Sequence, residues 1–305
     1  MRFWSTNENA HFTLSTAMKK ILIGGSPCTH WSIIQRKDRE TTSSGMGWEL
    51  FRNYVIAKEK FKPDFFLYEN NESISKAIQT EIEKELNVQL LHFDSRAVSA
   101  QMRKRVYATN SVVQYPLDRG ITLKDIINDD VEPIALTKPR FKEPQCRIYE
   151  EKSPTITCAT GGEHIPRLLL KGYTRQDISP ETYKDISRTM TVAEVERLQT
   201  MPKGYTKTLS KTRAFNTLGN GWTAEIIMHI IRSWNIPTDE EIIVLSMYDG
   251  IATGRYCFDK LGYTNIKYYA YEIDKYAIRC ALDNYTDIVE CGDAFQVRND
   301  DWVII

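Results

Sequence analysis

A largely apolar run of seven residues, Ile242 to Tyr248, constrains the fold of this chain more than any other segment. It leads directly into Asp249-Gly250-Ile251-Ala252-Thr253-Gly254, and an apolar run that ends in glycines is typical of a buried strand turning into a helix. The following sequence predicts a helix over 254–261, a strand over 266–271, a helix over 275–284 and a strand over 287–291. Strands that alternate with helices favour a parallel sheet covered by helices, so we predict an α/β fold.

The first hundred residues repeat this alternation. They predict strands near 20–25, 65–68, 88–93 and 105–109, with helices over 48–61 and 72–86. Residues 29–47 are polar and contain Gly and Ser, which predicts a mobile loop. Residues 110–187 hold most of the prolines and little periodicity, and helices resume over 191–198 and 222–234. We therefore predict two halves of one large domain, 1–108 and 211–305, separated by a small loop-rich domain over 109–210.

Composition narrows the class of protein. Forty basic and forty acidic side chains give a formal net charge of zero, which excludes a uniformly basic nucleic-acid-coating protein but not an enzyme with a local basic face. No apolar run approaches the ~20 residues of a membrane span. The six cysteines include no C-x-x-C pair, which predicts reduced intracellular thiols and no metal site. We expect a cytoplasmic monomer.

Acidic side chains follow the strands predicted near the C-terminus. Glu272 ends the second of them and Asp293 follows the third, after the glycine turn that begins at Asp249. Glycines at a strand-to-helix turn let a ligand approach the backbone, and an acid about twenty residues on can accept hydrogen bonds from ribose hydroxyls. Because G-x-G-x-x-G is absent, the pattern favours an adenosine cofactor without phosphates over a dinucleotide.

A second group of reactive residues lies near the N-terminus. Cys28 follows Pro27 at the end of the first strand, where it is either a nucleophile or a small buried apolar residue. As a nucleophile it must react as the thiolate, so we expect its site to lower its pKa. Glu69 ends the next strand and can hydrogen-bond a base edge if partly protonated. Four basic residues and no acidic residue occur from Arg96 to Arg105. They either bind phosphate or form part of a solvated surface.

Seven motifs together resemble the DNA (cytosine-5) methyltransferase family. They are Ser26-Pro27-Cys28, Glu69-Asn70, Gln101-x-Arg103-x-Arg105, Arg188-Thr189-Met190-Thr191, Leu198-Gln199-x-Met201-Pro202, Leu218-Gly219-Asn220-Gly221-Trp222 and Tyr248-Asp249-Gly250-Ile251-Ala252-Thr253-Gly254. The last is closest to the cofactor motif of the animal de novo DNA methyltransferases. The resemblance spans nearly everything from 21 to 293. Tyr248, Asn71 and Gly221 stand where the family usually has Phe, Val and Ser, and none of these departures removes a reacting group.

The resemblance implies a Rossmann-like methyltransferase sheet, S-adenosylmethionine as cofactor and double-stranded DNA as partner. It implies that Cys28 attacks carbon 6 of a flipped-out cytosine, that Glu69 holds the ring, and that Arg105, supported by Arg103, orients the base. The implied cofactor residues are Tyr248, Asp249, Gly250, Ile251, Thr253, Glu272, Ile273 and Asp293, with Leu50, Asn220 and Trp222 closing the pocket. The implied DNA contacts are Ser32, Arg36 and Lys37 in a lid over 29–47, Gln101, and Thr157, Arg167 and Lys171 in a target-recognition domain.

The order of the motifs departs from the family. There the cofactor motifs precede the Pro-Cys motif, whereas here they come last, so the chain resembles a circularly permuted member. Two alternatives stay open from the sequence. One is a methyltransferase of cytosine in RNA such as tRNA, and the other is a catalytically silent DNA-binding paralogue, although neither Cys28 nor Glu69 is lost.

Overall fold

The computed structural model describes residues 18–33, 38–139, 144–158 and 165–304. The strands are β1 Lys19–Gly24, β2 Phe65–Asn71, β3 Leu91–Asp94, β4 Lys104–Thr109, β5 Val131–Thr137, β6 Arg147–Glu150, β7 Arg167–Leu170, β8 Ser187–Thr189, β9 Ile242–Met247, β10 Ile266–Tyr271 and β11 Ile288–Gly292. The helices are α1 Met46–Phe61, α2 Lys76–Leu86, α3 Val192–Leu198, α4 Lys211–Asn220, α5 Ala224–Arg232, α6 Thr253–Lys260 and α7 Lys275–Asn284.

A seven-stranded sheet in the order β11-β10-β9-β1-β2-β4-β3 forms the centre of the fold. Its first five strands are parallel, as the sequence predicts. β4 is antiparallel to both β2 and β3, which corrects the prediction of a parallel sheet. Only residues 95–103 connect β3 to β4, and a parallel crossover needs a dozen residues or more, so this short connection requires an antiparallel pair. The mixed sheet is that of a Rossmann-like methyltransferase fold.

The pairing of β1 with β9 joins the two ends of the sequence into one sheet. Gly24 at the end of β1 lies beside Met247 at the end of β9, and the strands run in the same direction. Alternate residues of β1 enter different hydrophobic clusters: Ile21 and Ile23 pack towards α5 and α6, whereas Leu22 packs towards α1 and α2. Helices therefore cover both faces, and the carboxyl ends of five parallel strands meet at one edge.

A second sheet lies within the predicted small domain. It is antiparallel, in the order β6-β5-β7-β8. The sequence predicts only loops here, because three of these strands have four residues or fewer and show no clear alternation. The sequence also missed α4, which begins at the capping residue Ser210.

Within the described ranges, no helix combines the length and hydropathy that a membrane crossing requires.

Candidate active site

One cavity of about 370 Å³ opens at the carboxyl edge of the large sheet. It is lined by the Ser-Pro-Cys turn after β1, by the end of β2, by the turn after β9, and by the ends of β10 and β11. The loop after α4 forms the opposite wall. The cavity therefore brings together the two groups of residues that the sequence places at opposite ends of the chain. Its volume lies within the range of small-molecule and cofactor pockets.

The described residues that line the cavity include every predicted catalytic residue and every predicted cofactor residue. These are Cys28, Leu50, Glu69, Arg103, Arg105, Asn220, Trp222, Tyr248, Asp249, Gly250, Ile251, Thr253, Glu272, Ile273 and Asp293.

Cys28 lies in a short 3-10 turn that begins directly after Pro27. Its backbone carbonyl accepts hydrogen bonds from the amides of Trp31 at 3.0 Å and Ser32 at 2.9 Å, which fixes the turn on its far side. Burial and then the negative charge of Glu69 raise the pKa of the Cys28 thiol, and Arg105 opposes this only in part. The expectation of a lowered pKa is wrong for this state of the site, where Cys28 is a thiol.

Glu69 is held at both carboxylate oxygens. Arg105 Nε lies 3.1 Å from Oε1, and Trp222 Nε1 donates a hydrogen bond of 3.1 Å to Oε2. Burial raises the pKa of Glu69, and the charges of Arg105 and Arg103 oppose that rise. Gly25 passes so close to Glu69 that a β-carbon there would lie 2.8 Å from its carbonyl oxygen. Glu69 therefore presents to the cavity a carboxyl group that can be protonated.

Arg103 acts on the protein backbone rather than on a phosphate. Its guanidinium is only 2% exposed and donates to the carbonyls of Ile156, Gly219 and Gly221 at 2.9, 3.0 and 2.8 Å. Burial lowers its pKa to about 9. These bonds tie the wall formed by the loop after α4 to the segment that contains Thr157. Gly219 packs against that segment, because a β-carbon there would lie 2.5 Å from the Cys158 amide nitrogen.

The prediction that Gln101 contacts DNA is wrong. Gln101 is fully buried, accepts a hydrogen bond from the Ile156 amide at 2.9 Å, and donates to the Leu198 carbonyl and to Gln199 at 3.2 Å each. Gln199 in turn donates to the Leu218 carbonyl at 2.6 Å. The two glutamines connect the segment at Ile156 and the end of α3 to α4 beside the cavity wall, because a buried amide must satisfy its hydrogen bonds within the protein.

Both oxygens of Glu272 accept hydrogen bonds from backbone amides. Gly250 donates to Oε2, while Ile273 and Asp274 donate to Oε1, each at 2.8 Å. The amide of Gly250 belongs to the turn after β9, so this carboxylate connects two neighbouring strand ends. The two amides use both lone pairs of Oε1, whereas Oε2 keeps a further lone pair. The side chain lines the cavity, which suits acceptance of a ribose hydroxyl at Oε2.

The turn after β9 has an unusual backbone. Tyr248, Gly250 and Ala252 have φ values of 60°, 64° and 58°, and such values are uncommon for residues other than glycine. The Tyr248 hydroxyl donates to the Leu50 carbonyl at 2.8 Å, which places α1 against the turn. Gly254 lacks space for a β-carbon because Ile23 fills it. The absence of a side chain at Gly254 allows α6 to pack on the sheet. It does not make room for a ligand.

Asp249 carries a buried oxygen without a partner in the described part of the chain. Its Oδ1 accepts from Ser246 and Tyr268 at 2.6 Å each, while Oδ2 is buried and makes no hydrogen bond. Burial raises its pKa to about 6. An unsatisfied carboxylate oxygen at a cavity wall fits a ligand that brings a donor or a positive charge, and S-adenosylmethionine has both.

Asp293 and Ile273 lie on the open side of the cavity, where Ile273 is 74% exposed. Asp293 accepts a hydrogen bond from the Phe295 amide at 2.9 Å, which leaves its second oxygen for a ligand. Thr253 and Ile251 are almost fully buried in the turn after β9. Sequence reasoning missed Tyr205, whose hydroxyl donates to the Ile251 carbonyl at 2.7 Å and supports that turn. No local sequence signal marks this residue, since the contact exists only in the folded chain.

The predicted DNA-binding residues differ in where the structure places them, and two of them lie outside the described residues. Arg36 and Lys37 lie outside the described residues, and Ser32 is almost buried beside the Cys28 turn. Trp31 is fully buried and its indole nitrogen donates to Glu40 Oε2 at 3.2 Å, so Trp31 itself is packed inside the protein. The lid over 29–47 stays a prediction. The sequence did not identify Trp31 as a buried residue, because the segment around it is largely polar.

In the small domain, Arg167 donates to Ser187 Oγ at 2.8 Å and to the Lys184 carbonyl at 3.0 Å. It ties β7 to β8 and is half-buried, and its contact with DNA stays a prediction. Lys171 is exposed on the turn after β7, and Thr157 lies half-buried beside the cavity wall. These two stay predictions of DNA contact.

Among the described residues, no group of three or more His, Cys, Asp or Glu side chains is arranged to hold a metal ion.

The sheet and its cavity define a Rossmann-like methyltransferase that uses S-adenosylmethionine. The sequence model of the family described as C-5 cytosine-specific DNA methylase matches residues 5–145, so this part of the chain is similar to that family. The match covers the Cys28, Glu69 and Arg105 motifs. Comparison with curated protein sequences gave no match.

Three solved structures are similar to the chain. A DNMT2 variant from Spodoptera frugiperda has 16% identity and a TM-score of 0.47, covering 71% of this chain and 79% of its own. The methyltransferase EhMeth from Entamoeba histolytica has 11% identity and a TM-score of 0.47, covering 70% and 76%. Dnmt2 from S. pombe has 15% identity and a TM-score of 0.44, covering 69% and 76%.

Proposed function

We propose that this protein methylates carbon 5 of cytosine in double-stranded DNA through a covalent adduct with Cys28. The observation that carries the proposal is the shared cavity, in which the Cys28 turn and Glu69 face the turn after β9 and Glu272. The description of the matching family as a DNA methylase supports DNA as the nucleic acid. A cytosine inside a duplex cannot enter such a cavity, so the base must be flipped out of the helix.

When bound, S-adenosylmethionine supplies an electrophilic methyl group. Carbon 5 of cytosine is a poor nucleophile, and the Cys28 sulfur activates it by forming a bond to carbon 6. The electron pair of the 5,6 double bond forms a double bond between carbons 4 and 5, and the pair of the double bond between carbon 4 and nitrogen 3 moves to nitrogen 3, which takes a proton from Glu69. After carbon 5 accepts the methyl group, the nitrogen 3 proton returns to Glu69. Water then takes the carbon 5 proton, and the electron pair of that bond re-forms the 5,6 double bond as the Cys28 sulfur leaves as a thiolate. Covalent catalysis of this kind divides one difficult step into two easier ones.

The charges around Cys28 connect these steps. The negative charge of Glu69 raises the pKa of the thiol, whereas the guanidinium groups of Arg105 and Arg103 lower it. When Glu69 gains a proton, its repulsion of a thiolate disappears and the attraction by the two arginines remains. A protonated Glu69 and a Cys28 thiolate therefore favour each other, and this is the combination that attack on carbon 6 requires.

We also propose that the chain is a circular permutation of the family's order. Counted from β9 through β11 and then from β1 to β4, the strands of the large sheet lie in the order 3-2-1-4-5-7-6. The first five positions follow the doubly wound order, in which the first strand carries the glycine turn of the cofactor site. Here that strand is β9, followed by the turn that begins at Tyr248.

Reordering the chain tests the permutation. The turn at Thr238 and Asp239 is exposed and directly precedes β9. A chain that begins at Asp239, passes from Ile305 through a flexible linker to Met1 and ends at Thr238 should fold and bind S-adenosylmethionine. A chain opened at Ser246, inside β9, should not. Failure of the first chain to fold or bind would refute the permutation.

Methyl uptake tests the substrate. The purified protein, labelled S-adenosylmethionine and either duplex DNA or tRNA are compared, and bisulfite sequencing locates the modified cytosines. We expect label in DNA, at cytosines within a short sequence context. Label in tRNA alone would replace DNA by RNA as the substrate, and label in neither would support a catalytically silent paralogue.

A further inference from the structure

A buried tyrosine lies beneath the Cys28 turn on the opposite face of β2 from Glu69. Tyr68 precedes Glu69, and successive side chains of a strand point to opposite faces. Tyr68 is fully buried in the cluster formed with α1, and its ring contacts Phe51 edge to face at 5.1 Å. The phenol is the polar end of an otherwise apolar contact, so its hydroxyl needs partners.

Those partners belong to the turn that carries Cys28. The Tyr68 hydroxyl lies 2.7 Å from Ser26 Oγ and accepts a hydrogen bond of 2.9 Å from Asn70 Nδ2. Asn70 Nδ2 also lies 3.1 Å from the Ser26 carbonyl and 3.3 Å from Ser26 Oγ. Ser26 and Asn70 are 4% and 1% exposed, so water cannot replace any member of this triangle.

We propose that Tyr68 is a positioning residue for Cys28, acting through Ser26. The triangle fixes the carbonyl and the side chain of Ser26, and only Pro27 separates Ser26 from Cys28. The Cys28 carbonyl is fixed on the other side by the amides of Trp31 and Ser32. With both ends held, the Sγ atom keeps one position at the cavity wall. This inference rests on the proposed role of Cys28 as the nucleophile.

The chain offers a matched control in Tyr54. Its ring lies 5.0 Å from that of Tyr68, both side chains are fully buried, and both belong to the same hydrophobic cluster. The Tyr54 hydroxyl donates to the Leu67 carbonyl at 2.9 Å and touches no residue of the Cys28 turn. Tyr68→Phe and Tyr54→Phe therefore each remove one buried hydroxyl, but only the first removes a hydrogen bond to Ser26.

Two measurements separate positioning from general stability. The first is the turnover of both variants with duplex DNA, together with their affinity for S-adenosylmethionine. We expect Tyr68→Phe to lower kcat about tenfold or more, because a displacement of about 1 Å in a reacting group can cost a hundredfold. Cofactor affinity should stay within twofold of the wild type in both variants. Tyr54→Phe should keep kcat within twofold.

The second measurement is alkylation of Cys28 by iodoacetamide without any substrate, followed by peptide mass spectrometry. A loosened turn exposes the thiol more often, so Tyr68→Phe should be alkylated at Cys28 at least threefold faster than Tyr54→Phe. A protein that is merely less stable would not combine slower turnover with faster alkylation selectively at Cys28. Because this assay needs no nucleic acid, it reads the positioning role even if the proposed methyl transfer fails.

Ser26→Ala tests the same hydrogen bonds from the turn and replaces Tyr68→Phe if that variant melts well below Tyr54→Phe. We expect Ser26→Ala to show the same two effects, and the double variant with Tyr68→Phe to be no worse than the more impaired single variant. Equal turnover and equal Cys28 alkylation in Tyr68→Phe and Tyr54→Phe would overturn the proposal. Additive effects of Ser26→Ala and Tyr68→Phe would also overturn it.

Discussion

Trp222 donates its indole hydrogen to Glu69, and the bond of 3.1 Å connects residues that are 153 positions apart in the chain. The resemblance implies a place for Trp222 in the wall of the cofactor pocket, and the residue does line the cavity. Its hydrogen bond adds a second role. Arg105 holds one carboxylate oxygen of Glu69 and Trp222 holds the other, so the carboxyl plane has one orientation.

Trp222→Phe tests this relationship, because it keeps the aromatic wall and removes the donor. Loss of a hydrogen bond to a charged group costs about 1.5–3 kcal/mol, so we expect kcat to fall roughly tenfold to a hundredfold. Cofactor affinity should change less than threefold. Trp234→Phe is the control, since its indole donates to Thr109 in the core instead. Equal loss of cofactor affinity and of kcat in Trp222→Phe would leave Trp222 as pocket wall only.

Glu69→Gln tests the electrostatic coupling to Cys28. The variant removes the negative charge that raises the pKa of the Cys28 thiol, and it keeps Arg103 and Arg105. We therefore expect the pH midpoint for alkylation of Cys28 to shift downwards while methyl transfer falls at least a hundredfold. The midpoint is measured from the rate of iodoacetamide modification between pH 6 and about 10. An unchanged or upward-shifted midpoint would contradict this coupling. Glu272→Gln, farther along the sheet edge, is the control and should leave the midpoint unchanged.

Glu272→Ala tests the cofactor side of the cavity. We expect S-adenosylmethionine to bind more weakly by about 1.5–3 kcal/mol, because hydrogen bonds to a charged carboxylate are lost. Isothermal titration calorimetry measures the change directly. Glu241→Ala at the other edge of the sheet, where the carboxylate pairs with Lys267, is the control and should bind normally. Unchanged affinity in Glu272→Ala would remove this residue from the cofactor site.

Asp249 predicts a pH dependence of stability. Its pKa is raised from 3.8 to about 6 in the folded protein, so between these values the folded chain binds more protons than the unfolded chain. The stabilisation is complete below about pH 4 and is lost as the pH rises through about 6, at up to about 3 kcal/mol for two pKa units. Asp249→Asn lacks this dependence and keeps an oxygen for Ser246 and Tyr268.

Urea unfolding of both proteins at pH 5 and pH 8, without cofactor, measures the difference. At each pH, the free energy of unfolding of the wild type is subtracted from that of Asp249→Asn. We expect this difference to be larger at pH 8 than at pH 5. Parallel changes in the two proteins would mean that Asp249 ionises normally.

The sequence predicted the large sheet better than the small one. All seven of its strands overlap segments that the sequence predicts as strands, because a buried strand of such a sheet is a largely apolar segment. The strands β5 to β8 are short and half-buried, and they carry no such signal. β4 is antiparallel because the connection between β3 and β4 is short, and the direction of a strand cannot be inferred from composition.

The site was predictable where chemistry follows strand ends. Cys28, Glu69 and Glu272 each stand at the carboxyl end of a parallel strand, and such ends converge at one edge. Gln101 and Arg103 could not be placed from sequence, since a polar residue reads the same whether it faces a phosphate or a buried carbonyl. Their partners Ile156 and Gly219 are 55 and 116 residues away, and only the folded chain brings them together.

The most direct test of covalent catalysis is the adduct itself. A duplex with 5-fluorocytosine at the target position is incubated with the protein and S-adenosylmethionine, and the product is digested and sequenced by mass spectrometry. Fluorine replaces the proton that elimination requires, so a stable adduct accumulates. We expect one methylated fluorocytosine attached to Cys28, no adduct in Cys28→Ala, and cofactor binding by that variant close to the wild type. An adduct on another cysteine, or methyl transfer by Cys28→Ala above about a thousandth of the wild-type rate, would contradict covalent catalysis by Cys28.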